Sequence, residues 1–148
     1  MGVDVNNFRP VYSWGARRVT LHRSLTVGTP VPQGSKSVTR TGRFYEANKH
    51  HKAWRATVTA SVAAQHDGPP IDQPVHVELC FWMPRPKRPR WPVPAVKPDI
   101  DKLSRSLLDS LQAGGVLAED SRVVRLTAQK AYVPDGQEPG VTVVITPA

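Results

Sequence analysis

The chain has a single cysteine, Cys80, set in an apolar run between Val75 and Met83. One thiol excludes an internal disulfide framework and a zinc site built on CxxC pairs, and its apolar neighbours predict a buried side chain. Long apolar runs are lacking too. No window approaches the ~20 residues of a membrane span, and the first residues hold no extended apolar stretch. There is no basic amphipathic helix and no lipidation signal, which argues against a cationic protein of the membrane surface. A soluble, intracellular protein is expected.

Acidic residues are scarce. Against 20 Lys and Arg stand 12 Asp and Glu, a formal net charge of +8 that suits a polyanionic partner. Residues 1–60 carry Arg9, Arg17, Arg18, Arg23, Lys36, Arg40, Arg43, Lys49, Lys52 and Arg55 against only Asp4 and Glu46. Arg85, Lys87, Arg88, Arg90 and Lys97 follow without one acid among them. Asp99, Asp101, Asp109, Glu119 and Asp120 are instead gathered in one short stretch. Scattered basic residues ordinarily make a solvated surface, but that does not account for the segregation. An acidic spot on a cationic body is the layout of a protein that grips nucleic acid and holds a divalent cation at one point.

A chain of 148 residues fits one domain. Residues 1–16 lack periodicity and read as an extension, ahead of a domain over 17–148. Residues 18–27 read as a first strand on the alternation of Val19, Leu21, Leu25 and Val27. Residues 37–48 read as an exposed basic loop with Thr41-Gly42 at its turn. Trp54, Val58 and Val62 fall at i, i+4 and i+8, predicting a helix over 50–65 that stops at Asp67-Gly68-Pro69-Pro70. The clearest strand is 74–83, where Val75, Val77, Leu79 and Phe81 alternate with His76, Glu78, Cys80 and Trp82. Six prolines between Pro84 and Pro98 exclude a helix or central strand and predict a stiff, extended basic loop carrying Trp91. A helix over 101–113 closes at Gly114-Gly115, a strand follows the turn at Glu119-Asp120, and 141–146 is the last strand. The sum is an α+β fold: a mixed sheet of about four strands with two helices packed on it.

Within the second helix Leu103, Leu107, Leu108 and Leu111 form the stripe expected to be buried. Asp101 reads as its N-cap. Asp99 and Asp101, two apart in extended backbone, point the same way and can share a site, with Asp120 on its turn, and Glu119 beside it, supplying a third carboxylate. Close carboxylates repel, and a hard cation relieves the repulsion; magnesium takes oxygen ligands, commonly one or two carboxylates with water and substrate phosphate. The helix N-terminus adds positive potential for a phosphate. Structural readings stand beside this one: Asp101 as a cap only, Asp99 as a turn residue, Asp120 as a loop acid. Asp109, four residues after Arg105, reads as its ion-pair partner. Ser104 and Ser106 have no histidine partner for nucleophilic chemistry, and His50-His51 lack further ligands for zinc.

The string KPDIDKLSRSLLDSL with AEDSRVV about ten residues on, preceded by PVPQGSK and TRTGRFYEANK, resembles the RusA family of Holliday-junction resolvases, of phage and prophage type. The likeness spans roughly residues 18–146, most specifically at the paired aspartates. It implies a magnesium-dependent endodeoxyribonuclease, with manganese a possible substitute. Such an enzyme works as a homodimer in the bacterial cytoplasm, at the nucleoid, in DNA recombination and repair. It resolves four-way junctions by paired symmetrical nicks, a metal-activated water hydrolysing the phosphodiester. Carried over, the metal-binding aspartates are Asp99, Asp101 and Asp120. The family's catalytic lysine falls on Arg105, which keeps the charge and binds phosphate bidentately but offers no deprotonatable amine; Lys102 is a neighbouring cation for the same catalytic role. The aromatic wedge expected near the aspartates is replaced by Val96-Lys97-Pro98, leaving Trp91 as a substitute. DNA contacts are expected from Lys36, Arg40, Arg43, Lys49 and Lys52, and from Arg85, Lys87, Arg88 and Arg90. Two other readings fit the same chain: a nuclease for forks or flaps, and a catalytically inert basic DNA-binding protein.

Overall fold

A computed structural model describes residues 19–34 and 43–148, the backbone alone at 43–48. Strand β1 (His22–Val27) comes first, then helix α1 (Arg43–Ala64), strand β2 (Val75–Met83) and helix α2 (Ile100–Ala113). A short 3-10 turn (Asp120–Arg122) leads into β3 (Val123–Tyr132), and β4 (Gly140–Pro147) is the last strand. The strands form one mixed sheet in the order β1-β4-β2-β3. β2 pairs parallel with β3 and antiparallel with β4, and β1 pairs antiparallel with β4. The parallel pair requires a crossover, and α2 with the Pro-rich loop before it is that crossover. The α+β fold read from sequence is the one observed.

Period-two alternation sends Val75, Val77, Leu79, Phe81 and Met83 of β2 to the face that meets the helices. There they join Trp54, Val58 and Val62 of α1 and Leu103, Leu107 and Leu111 of α2 in one core. Leu108 packs at its margin, only partly buried. The alternate residues of β2 are buried too: His76, Glu78 and Cys80 are no more than 3% exposed. Both neighbours of β2 are hydrogen-bonded strands, and its second face is lined with polar partners. His76 Nε2 bonds Thr127 Oγ1 at 2.8 Å, and the Trp82 indole N–H donates to Thr142 Oγ1 at 3.2 Å. Burial pushes the Cys80 thiol up to about 12, so it is inert as a nucleophile, as its apolar sequence context suggested.

β1 starts at His22, with the described residues 19–21 outside the strand, and presents its polar side to α1. His22, Ser24 and Thr26 pair with the core-facing Ile145, Val143 and Val141. Thr26 Oγ1 donates to Ser61 Oγ at 2.9 Å, while Gln65 accepts from the Leu25 N–H and donates to its carbonyl. The helix expected over 50–65 begins at Arg43, so the second half of the expected 37–48 loop is helical backbone. Glu46, Ala47 and Lys49 are good helix formers, and propensity carries the helix back through them. The expected extension over 1–16, the Thr41-Gly42 turn, Lys36 and Arg40 lie outside the described residues.

Candidate active site

Helix α2 starts one residue before its expected position. Asp99, with φ −73° and ψ 138°, is the N-cap and Asp101 lies in the first turn; neither carboxylate caps the helix through a side-chain bond. The expectation that Asp101 caps is therefore corrected. So is the expectation that the two aspartates share extended backbone, because the chain turns helical between them at Ile100. The Asp99 carboxylate lies 3.8 Å from Lys102 Nζ, both substantially exposed. The loop ahead of the helix is pinned from the sheet: Lys130 Nζ donates to the carbonyls of Val96 at 2.7 Å and Pro98 at 2.9 Å.

Between α2 and the start of β3 lies a pocket of about 520 Å³, lined by Asp101, Ser104, Arg105, Asp109 and Asp120, with Ile100, Leu108, Leu126 and Ala128 as its apolar floor. Asp101, Arg105 and Asp109 recur every fourth residue and so share one face of α2. Ser104 is turned back on the helix, its hydroxyl donating to the Ile100 carbonyl at 2.8 Å. Asp120 is brought in by the turn before β3, where its backbone N–H donates to Gln112 Oε1 at 3.0 Å. Glu119 instead pairs with Arg122 at 3.2 Å and accepts from Ser121, which takes it out of the pocket.

Asp109 is the residue the sequence reading undervalued. Among the described residues it forms no ion pair with Arg105; its carboxyl meets that of Asp120. Desolvation first, and then the Asp109 carboxyl, raise the Asp120 pKa above the ordinary carboxylate value, with the Arg55 guanidinium opposing them. Asp120 Oδ1 is buried and no donor reaches it. Two carboxylates have no donor to offer each other, so the contact persists only with a proton or a cation between them. Helix α1 lies close behind α2 without lining the pocket. His51 Nε2 bonds Ser106 Oγ at 3.0 Å, and its pKa is lowered by burial and by Arg55, against a rise from Asp109. The signal that could have found Asp109 was its spacing of four from Arg105 and eight from Asp101.

Not every expected member is gathered at one point. Eight residues of helix set Asp101 and Asp109 about 12 Å apart along the axis, and Asp120 sits at the Asp109 end. Among the described residues no three His, Cys, Asp or Glu side chains stand together as ligands of a single ion. The donors present are nevertheless all carboxylate oxygens, with one buried and unpartnered. This suits magnesium, which draws one or two carboxylates from protein and completes its shell from water and phosphate. Lys102 does not line the pocket; its backbone carbonyl accepts from the Gln33 N–H at 3.3 Å.

Lys49 and Lys52 are exposed on α1, and Arg85, Lys87, Arg88 and Arg90 are exposed on the Pro-rich loop. Arg43 is the first residue of α1. Trp91 is 46% exposed, with the Arg90 guanidinium 5.2 Å from its ring centroid. It is a surface aromatic held by a cation–π contact, away from the acidic pocket's lining.

Compared with known families, the chain matches the model for the endodeoxyribonuclease RusA over residues 28–146. The chain belongs to the RusA family. Its members are endodeoxyribonucleases that act on Holliday junctions. No characterised protein is similar enough to the chain to match it individually. The RusA match begins just after β1 and takes in α1, β2, the Pro-rich loop, α2, β3 and nearly all of β4, and hence every residue of the acidic pocket. Among the described residues no helix is long and apolar enough to cross a membrane.

Proposed function

We propose that this RusA-family protein is a magnesium-dependent, structure-selective endodeoxyribonuclease that resolves four-way junctions by paired symmetrical nicks as a homodimer. The observation that carries the catalytic reading is the buried, donor-less Oδ1 of Asp120, a side chain that neighbours Asp109 in a pocket also lined by Asp101 and Arg105. Asp99, Asp101 and Asp120 are the residues that would hold the cation: Asp101 and Asp120 line the pocket towards its two ends, and Asp99 lies outside that lining at the helix N-terminus. When bound, magnesium supplies Lewis-acid stabilisation of the phosphate and lowers the pKa of its water.

The chain's own residues do the rest. The exposed Arg105 guanidinium reaches phosphate oxygens bidentately and offsets the negative charge that builds as the phosphodiester is attacked in line. Lys102, tethered near Asp99, adds positive potential at the helix N-terminus. Arg55 on α1 lowers the cost of a charged Asp120. Lys49, Lys52 and the cations of the Pro-rich loop hold the sugar-phosphate backbone, reading junction shape before sequence. A C2 dimer would match the twofold symmetry of a four-way junction and set one pocket on each of two strands.

The test is incubation of the purified protein with an end-labelled synthetic four-way junction, fork, flap and linear duplex, each with and without magnesium. Metal-dependent paired nicks confined to the junction are expected. Equal cutting of forks and flaps would replace the resolvase reading with that of a general branched-DNA nuclease. Tight binding without cleavage would make the protein an inert junction binder.

A further inference from the structure

A second cavity, about 530 Å³, shares no lining residue with the acidic pocket, yet Lys97 and Pro98 in its wall are followed in the chain, after Asp99 alone, by Ile100 and Asp101 of that pocket's lining. Its walls are apolar. Val31 comes from the connection after β1, Met83 from the end of β2, Val96 and Pro98 from the Pro-rich loop, and Tyr132 from the end of β3. Val96 is 51% exposed, a large apolar side chain left uncovered on a cationic protein. Two cations at the rim, Arg85 and Lys97, are exposed. The third, Lys130, is committed to the frame through its bonds to Val96 and Pro98.

This combination selects among ligands. A phosphate gains nothing from walls of Val, Met and Pro, and an apolar peptide has no use for Arg85 and Lys97. A flat, neutral aromatic group carried on a polyanionic chain satisfies both. We infer that this cavity receives one unstacked nucleobase of the DNA whose phosphate lies at the acidic pocket. The inference rests on the nuclease reading above. Tyr132 and the proline rings supply the faces against which a base stacks, which is how proteins hold unpaired nucleotides without reading their edges. Arg85 and Lys97 take the phosphates on either side. The continuity of Lys97-Pro98-Asp99 couples the two events: seating the base fixes the backbone at the helix N-terminus.

The experiment uses four-way junctions carrying 2-aminopurine at successive positions around the crossover, bound by the full chain without divalent cation. Fluorescence should rise at one position on binding, as the probe leaves the stack. Tyr132→Ala and Val96→Ser both remove wall without changing charge. In both, the signal should fall towards that of the free junction. Tyr132→Ala should weaken junction binding roughly tenfold, the scale of one lost base–aromatic stack. The salt dependence of binding should not change, since no phosphate contact is lost. Val96 is on an exposed loop, so its variant keeps the test valid if Tyr132→Ala fails to fold. A junction that binds with the probe silent everywhere, or a signal that survives both substitutions, overturns the inference and leaves the cavity to a protein segment. A chain that binds no junction at all overturns the nuclease reading and this inference with it.

Discussion

Asp120 has one carboxylate oxygen that no donor reaches, and the neighbour it meets is another carboxyl. Such a pair is unstable unless something positive or a proton sits between, which is why Asp109 belongs with the site and not with a surface ion pair. Asp109→Asn is expected to lower junction cleavage by about 10–100-fold, the range for groups that support a metal ligand, with junction binding retained. Gel-shift and cleavage assays on one preparation check this. A second residue-scale prediction concerns His22, buried and bonded to His66 Nδ1 at 3.1 Å and Ser24 Oγ at 2.9 Å. Burial first, then His66, lower its pKa from 6.5 to about 4. Above pH 6.5 the ring is neutral folded or unfolded and has no effect. Below that, the unfolded chain takes up a proton that the folded one resists, so stability falls with pH until the folded ring titrates near 4. The loss is at most about 3 kcal/mol. His22→Asn should flatten the dependence of melting temperature on pH between those limits.

At the scale of elements, α2 carries both halves of the protein's logic: its leucine stripe fixes the core and its opposite face bears Asp101, Arg105 and Asp109. The helix is tightly docked at its end. A Cβ on Gly114 would stand 2.9 Å from the Thr59 carbonyl and 3.0 Å from Val62 of α1. Gly114→Ala is therefore expected to destabilise by about 1–3 kcal/mol in chemical denaturation. The stripe was legible in sequence because period 3.6 over Leu103, Leu107 and Leu111 has no competing reading. The strand 74–83 was legible because period two over Val75, Val77, Leu79 and Phe81 is equally plain. What sequence missed has physical causes. The polar face of β1 turns inward because Ser61 and Gln65 of α1 offer it hydrogen bonds, which no local pattern shows. The start of α2 at Ile100 moved Asp99 and Asp101 onto differently directed backbone, and a one-residue shift suffices for that. The meeting of Asp109 with Asp120 is a tertiary contact between a helix face and a turn, invisible until the crossover is folded.

For the whole molecule, the charge of +8 sits mostly away from the acidic pocket, on α1 and the Pro-rich loop. Junction affinity should fall steeply with salt, and Arg88→Ala or Lys52→Ala should each reduce the log–log slope by about 1 while leaving the cleavage position unchanged. Salt titrations of binding would show it; a slope near zero would mean that the cations are not the grip. The measurement that bears most directly on the account pairs Asp120→Asn with the wild-type chain on one labelled four-way junction in magnesium, following cleavage and binding together. Cleavage should drop by about 100-fold or more with binding kept or tightened. Cleavage at the wild-type rate would contradict the assignment of the α2–β3 pocket as the catalytic centre.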